Sequence, residues 1–139
     1  MLSRACEYAI QATIYLAKKP EGEYTLIREI SKELDIPHHY LGKIMQILVK
    51  NGILNSLKGP KGGLALSKKP SKMTMMDVIT AVDGSDFSTK CIIGFKKCGA
   101  TSKCPICETW TDKREKIEGF FPERSLAQRV EDSGIVSPN

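Results

Sequence analysis

The sequence lacks any run of about 18 consecutive apolar residues, the length that a membrane-spanning helix needs. Its apolar N-terminal stretch is interrupted by Glu7 and Gln11, and no small-residue cleavage site follows Leu16, so a secretory signal is not indicated. Apolar and charged residues make up 41% and 27% of the chain, which is typical of globular proteins and argues against disorder. We therefore expect a soluble, cytoplasmic protein with no membrane partner.

Acidic residues are absent between Asp35 and Asp77, although the net charge of the 139-residue chain is only +5. The same interval holds Lys43, Lys50, Lys58, Lys61, Lys68, Lys69 and Lys72. A basic block confined to one part of an otherwise balanced chain is typical of a surface that binds a polyanion. A solvated lysine face would explain the charge equally well.

Three helices are predicted in the first 52 residues from apolar spacing and end signals. The first spans 4–18, and the second follows Thr25, which we expect to be its N-cap. Pro37 suits the first turn of the third helix, and Asn51-Gly52 is a good C-terminal cap for it. The pattern therefore predicts two short helices joined by a tight turn.

A β-hairpin and a fourth helix are predicted next. The runs 53–57 and 64–67 flank a glycine-rich turn, as the two strands of a hairpin do. Thr74 and Asp77 form a capping box that would open the fourth helix. Three helices, a hairpin and a further helix give a mainly α fold with a small β-hairpin wing. We assign residues 1–84 to a winged helix-turn-helix domain that binds DNA.

The third helix would be the one that enters a major groove, because the second helix of a helix-turn-helix does so with its N-terminal residues. Those residues are His38, His39, Tyr40 and Lys43, and all four can form hydrogen bonds. Tyr40 would serve equally well as a core residue, and adjacent histidines are often ordinary surface residues. We predict base contacts for His39 and Lys43 in particular.

The turn of the hairpin carries Lys58 and Lys61 among glycines that permit unusual backbone conformations. A wing of this kind contacts phosphates or a minor groove. Because phosphate contacts fix affinity and register but carry no sequence information, we assign these lysines to affinity.

Four of the five cysteines fall within 17 residues: Cys91, Cys98, Cys104 and Cys107. Four thiolates that converge make a site suited to zinc or to an iron–sulfur cluster, and the spacing alone does not separate the two. No histidine lies near them in sequence, so a Cys-His nucleophile is not supported and we do not expect an enzyme. Cys6, alone on the first helix, is expected to be a buried packing residue.

The remainder of the chain divides into a cysteine-rich loop, 85–107, and a helical segment, 105–132. Pro105 would open a long helix that Pro122 stops, and Trp110 lies on it at helical spacing with later apolar residues. Ser125 and Gln128 form a capping box for a short terminal helix.

The chain resembles the bacterial Rrf-type family of winged-helix transcriptional regulators, which has IscR-like and NsrR-like members that carry iron–sulfur clusters. The resemblance covers nearly the whole chain. It is found in Glu7-Tyr8-Ala9-Ile10, in Ile36-Pro37-His38-His39-Tyr40-Leu41, in Lys50-Asn51-Gly52, in Lys58-Gly59-Pro60-Lys61-Gly62-Gly63, in Val78-Ile79-Thr80-Ala81-Val82-Asp83, in the cysteines at 91, 98 and 104, and in Trp110.

The resemblance implies a homodimer that binds palindromic operators and dimerises through the long helix after the cysteine loop. It also implies that Cys91, Cys98 and Cys104 are cluster ligands. Cys107 stands where IscR-like members have a histidine. NsrR-like members instead use a carboxylate from the first helix of the partner subunit, at the position of Glu7. Glu7 is therefore the reserve ligand, and the alternative role for it is that of an exposed surface residue. A 2Fe-2S cluster matches the IscR likeness, and four cysteines serve 4Fe-4S equally well.

These expectations together describe a DNA-binding transcriptional regulator whose operator affinity depends on its cluster. A zinc-stabilised regulator or a metal-free, thiol-based one of the same fold is the alternative. A small iron–sulfur electron carrier belongs to a different class, and it would leave the lysine block and the helix-turn-helix pattern unexplained.

Overall fold

The computed structural model describes residues 2–85 and 105–133. The elements there are α1 (Arg4–Ala17), α2 (Ile27–Leu34), α3 (His38–Lys50), β1 (Leu54–Leu57), β2 (Gly63–Leu66), a short 3-10 helix (Pro70–Lys72), α4 (Met75–Asp83), α5 (Cys107–Glu123) and α6 (Leu126–Asp132). The predicted mainly α fold with a β-hairpin wing is confirmed.

The main core lies between α1 and α3. Ala9 and Ala12 of α1 are fully buried, and their small side chains let the two helices approach closely. From α3 the core receives Leu41, Ile44, Met45 and Leu48, which share one side of the helix. This packing fixes α3 by one face and leaves its opposite face in solvent.

The turn between α2 and α3 depends on Asp35, which adopts the left-handed conformation with φ 53° and ψ 48°. Ile36 next to it is buried, and its carbonyl accepts a hydrogen bond from the Ser31 hydroxyl over 2.5 Å. Short polar side chains such as aspartate tolerate this backbone region better than most. The tight turn that the sequence predicts is present, and α3 begins at His38 with Pro37 as its N-cap.

The wing is an antiparallel pair in which Leu54 lies opposite Leu66 and Leu57 lies opposite Gly63. Thr25 pairs with Leu64 through two backbone hydrogen bonds of 2.9 and 2.8 Å, so the segment before α2 extends the sheet by one residue. The prediction that Thr25 caps α2 is therefore wrong. Its backbone is committed to the wing, and Leu26 occupies the N-cap without a side-chain hydrogen bond.

The capping boxes predicted for α4 and α6 are both present, at Thr74 and Asp77 and at Ser125 and Gln128. Leu126 of α6 is buried in the main core, and its backbone N–H donates to the Met73 carbonyl over 2.7 Å. The prediction that Pro122 stops α5 is wrong by one residue, because α5 ends at Glu123 and the backbone becomes extended at Arg124. Pro122 has no N–H to donate to the Glu118 carbonyl, and the helix ends one residue beyond it.

Candidate nucleic-acid interface and cysteine site

The exposed face of α3 lies opposite the face that enters the core. At about 100° per residue, four exposed side chains fall within about 60° of one another around the helix axis. They are His39, Lys43, Gln46 and Lys50. His38 is exposed at the N-terminus of the same helix, where unpaired backbone N–H groups favour an anion such as a phosphate.

The sequence-based contacts do not include Gln46 or Lys50. Both follow His39 and Lys43 at intervals of three or four residues, so helical spacing alone could have identified them. The predicted contacts are confined to the N-terminal half of the helix. The structure thus lengthens the polar face from one turn to three.

Tyr40 has a mixed position. Its ring is half-buried and meets the ring of Tyr8 on α1 edge to face, with the centroids 5.6 Å apart and the planes at 84°. Such contacts contribute about 0.5–1.5 kcal/mol beyond the buried area. The packing role that the sequence left open for Tyr40 is therefore present, and its predicted DNA contact stays a prediction.

The wing tip presents Lys58 and Lys61 to solvent, and its shape requires two glycines next to them. A Cβ on Gly62 would lie 2.0 Å from the Leu57 carbonyl oxygen. Gly63 has φ +138°, and a Cβ there would lie 2.2 Å from the Thr25 carbonyl oxygen. The close approach of these backbones holds the two lysines at one end of the hairpin.

A mostly apolar groove of about 460 Å³ separates α3 from the wing. Its lining includes Gly42, Gln46 and Lys50 from α3 and Leu57 from β1. Leu57 is 48% exposed. The groove therefore adjoins the polar face of α3 on the side of the wing.

The N-terminus of α1 is attached to the end of α4. The Ser3 backbone N–H donates to Asp83 Oδ2 over 2.9 Å, and the Ser3 hydroxyl donates to Asp83 Oδ1. Ser3 Oγ also caps α1 by accepting from the Cys6 backbone N–H over 3.0 Å. Asp83 is the last residue of α4, so the segment that leads into the cysteine-rich loop is tied to α1.

Cys6 and Ile79 are fully buried in a second, smaller core shared by α1, α4 and α5, against which Phe121 packs. Burial, followed by the nearby Asp83 carboxylate, raises the pKa of the Cys6 thiol to about 12. This agrees with the packing role expected for Cys6. Glu7 beside it is exposed, and its carboxylate lies 3.8 Å from Arg4 Nε in a surface ion pair.

The predicted ligands Cys91, Cys98 and Cys104 lie outside the described residues. Cys107 is the first residue of α5, and its side chain also lies outside the description. Within 2–85 and 105–133, no three histidine, cysteine or acidic side chains are grouped as a metal site would require. The assignment of all four cysteines, and of Glu7 as the reserve ligand, therefore stays a prediction.

Among the described residues, no helix combines the length and the apolar character needed to cross a bilayer. The pair α2–α3, the exposed polar face of α3 and the lysine-tipped hairpin beside it define a winged helix-turn-helix, a class of DNA-binding protein. The arrangement of these elements alone is enough to define the class.

Comparison with known proteins gives the family. A family model described as Rrf2, an iron-dependent transcriptional regulator, matches residues 2–132. An HTH-type transcriptional regulator of Aquifex aeolicus is 32% identical over 132 residues, which are 94% of this chain and 91% of that protein. The regulator IscR of Serratia proteamaculans is 33% identical over 129 residues, 93% of this chain and 78% of its own length. The chain belongs to the Rrf2 family of transcriptional regulators.

Solved structures agree on the fold. CymR, the global cysteine regulator of B. subtilis, superposes with a TM-score of 0.76 at 21% identity, over 93% of this chain and 97% of CymR. IscR of T. potens superposes with a TM-score of 0.74 at 22% identity, over 96% and 88% of the two chains. The family model and these relatives are described as regulators, and none of these descriptions is that of an enzyme.

Proposed function

We propose that this chain is a homodimeric, cytoplasmic regulator of transcription whose affinity for a palindromic operator is set by an iron–sulfur cluster on Cys91, Cys98, Cys104 and Cys107. The observation that carries the proposal is the place of the cysteine-rich loop in the chain. The loop, 85–107, connects α4 to α5, and both helices share a buried core with α1.

The DNA-binding part of the proposal rests on α3 and the wing. His39 and Lys43 contact base edges in the major groove, and Tyr40 supports the first turn of α3 while its hydroxyl remains a candidate donor. His38 lies at the helix N-terminus near the phosphates, and Lys58 and Lys61 contact the backbone from the wing. The segment from 36 to 76 has no acidic residue to oppose these contacts.

The donor set fits a cluster. Four cysteines are the usual ligand set of both 2Fe-2S and 4Fe-4S centres, and the backbone of Cys107 opens α5, the helix end that carries partial positive charge. When bound, a cluster supplies redox chemistry and ligand bonds that an oxidant can break. Relatives described as IscR and as iron-dependent regulators support iron in preference to zinc.

The helices around α1 provide a path from the loop to the operator. Asp83 holds the N-terminus of α1, Phe121 of α5 packs on the same small core, and Tyr8 of α1 contacts Tyr40 at the start of α3. Binding of the four cysteines to one cluster would restrict how α4 and α5 sit on α1. Because α1 and α3 share the main core, restricting the position of α1 also restricts the position of α3, the helix that enters the major groove. Coupling of this kind is typically worth about 5- to 150-fold in affinity.

The homodimer rests on α5. Trp110 and Ile117 are only partly buried and share a side of the helix, and Phe120 nearby is 48% exposed. Pairing of α5 with a second copy, within the segment 105–132, would cover these side chains. The recognition helices of such a dimer must lie about 34 Å apart to reach successive major grooves.

The cofactor is tested with anaerobically purified full-length protein. Iron and acid-labile sulfide, with a visible absorption band, are the expected result. Colourless protein with one zinc per chain would indicate that the cysteines hold a structural zinc ion and not a cluster. Protein with neither metal would leave a thiol-based regulator.

The sensing step is tested by binding titrations of matched cluster-loaded and apo protein on one operator fragment at fixed salt. We expect the two affinities to differ by at least about fivefold, the lower end of typical coupling. Equal affinities would refute cluster-dependent binding and leave DNA binding intact.

The metal-free thiol-based regulator is a second candidate. The observation that favours it is the fold likeness to CymR, described as a global cysteine regulator and also solved in an oxidised form from Staphylococcus aureus. It predicts that a mild oxidant changes operator affinity in protein that carries no iron. The electron carrier, by contrast, has no support from the family.

A further inference from the structure

We propose that Gln46 is a base-reading residue that selects adenine one helical turn beyond Lys43. The inference goes beyond the contacts assigned to the N-terminal turn of α3, and it rests on the proposed placement of α3 in the major groove. It assigns sequence specificity to a residue in the second half of the helix.

The placement of Gln46 supports this role. It lies on the exposed face of α3 between Lys43 and Lys50, on the side opposite the buried Ile44 and Leu48. Within the described part of the chain, the Gln46 amide has no hydrogen-bond partner that would hold it against the protein. If the exposed face of α3 enters the major groove so that Lys43 and Lys50 reach the DNA, Gln46 between them reaches it as well.

Gly42 leaves room for the amide. The side chain of a helical residue leans toward the helix N-terminus, so Gln46 lies over the turn that contains Gly42. A Cβ at Gly42 would have one neighbour within 4 Å, Ile27 Cδ1 at 3.8 Å, so solvent-side space there is open. Ser56 is the only polar side chain that the wing contributes to the lining of the apolar groove beside Gly42 and Gln46.

The chemistry of the side chain specifies the base. A primary amide has one acceptor and two donor hydrogens, which match N6 and N7 of adenine in a bidentate pair. Lysine has donors only, so neither Lys43 nor Lys50 matches the donor and acceptor of adenine. We assign Lys43 to the acceptors O6 and N7 of guanine and Lys50 to phosphate. Gln46 is the only side chain of the four on this face that has a primary amide.

The test is selection of binding sites from a random duplex pool by full-length wild-type protein, Gln46→Ala and Gln46→Glu. We expect wild type to enrich symmetric half-sites with one adenine that Gln46→Ala no longer prefers. On the wild-type site, Gln46→Ala should bind about 5- to 150-fold more weakly, the range for one bidentate contact. Gln46→Glu should shift that position toward cytosine, because a carboxylate accepts from cytosine N4.

Lys50→Ala is the matched variant on the same face, and it should weaken binding to all sequences alike without changing the enriched motif. Identical motifs and affinities for wild type and Gln46→Ala would overturn the inference while leaving DNA binding intact. If wild-type protein enriches no motif, the proposed regulator function fails as well. Circular dichroism of each variant confirms that the exposed substitution leaves the fold unchanged.

Discussion

The ring of Tyr8 on α1 supports the ring of Tyr40 in the first turn of α3, edge to face, at a centroid distance of 5.6 Å. The Arg4 guanidinium lies 5.9 Å from the centroid of the Tyr8 ring. Arg4, Tyr8 and Tyr40 therefore form a continuous row of contacts from the surface of α1 to α3. The start of α3 has no side-chain N-cap. The aromatic contact therefore stabilises a helix end that lacks the usual cap.

Replacing Tyr8 with leucine should release the first turn of α3. We expect the free energy of unfolding to fall by about 1 kcal/mol, the value of an aromatic pair, and operator affinity to fall as His39 loses its fixed position. Tyr8→Phe keeps the ring and is the matched control. Urea unfolding and binding titrations measure both effects. If Tyr8→Leu and Tyr8→Phe behave alike, the ring contact has no role in positioning α3.

Much of this helix-turn-helix could be predicted from sequence because its signals are local. Apolar spacing gives α3, and Asn51-Gly52 ends it, with Gly52 at φ +76°. The role of Thr25 could not be predicted, because it depends on a non-local contact. Its bridge to Leu64 joins residues far apart in the chain, and no local pattern distinguishes a threonine that caps a helix from one that extends a sheet.

Gly63→Ala should distort the base of the wing, because the new Cβ would collide with the Thr25 carbonyl oxygen. Gly59→Ala is the informative comparison, since Gly59 has φ +111° but a Cβ there would meet no atom within 4 Å. Backbone strain alone should cost Gly59→Ala about 1–3 kcal/mol, and the collision should make Gly63→Ala more costly. Chemical denaturation of both variants provides the measurement. Equal stabilities would contradict the close approach of the two backbones.

Neutralising the wing lysines should reduce the salt dependence of DNA binding. Each of Lys58→Gln and Lys61→Gln removes one phosphate contact, which lowers the log–log slope by about 0.9. Affinity should fall on specific and random duplexes alike. Lys32→Gln, an exposed lysine in the last turn of α2, is the control of equal charge change. A slope unchanged from wild type in both wing variants would remove the hairpin from the interface.

The sequence predicts which kinds of residue form the interface on α3, but it does not predict how far along α3 the interface extends. The N-terminal turn of a recognition helix usually contacts bases, which predicts contacts for His39 and Lys43, and both side chains are exposed as such a role requires. Gln46 lies outside the predicted contacts because those contacts are confined to the N-terminal half of the helix, although its spacing from Lys43 places it on the same side. The packing of Leu41 and Leu48 in the core shows that this side is the one left in solvent.

The fourth cluster ligand can be identified by comparing Cys107→Ser with Glu7→Gln in anaerobically purified protein. If Cys107 is the ligand, as we propose, Cys107→Ser should lose most of its iron and sulfide, and Glu7→Gln should match wild type. The physical reason is that Glu7 already forms an ion pair with Arg4 at the surface, and a thiolate is the softer donor for iron and sulfur. Iron and sulfide analysis with visible spectra gives the answer.

Cys6→Ala is the control that shows whether removing a cysteine that is not a ligand changes the iron content. The Cys6 thiol is fully buried in the small core, and this burial raises its pKa and disfavours the thiolate. Cys6→Ala should therefore retain the full iron content, with reduced stability from the lost packing. Loss of iron in Glu7→Gln but not in Cys107→Ser would reverse the ligand assignment and make a carboxylate on α1 a direct link between the cluster and the helix that supports α3.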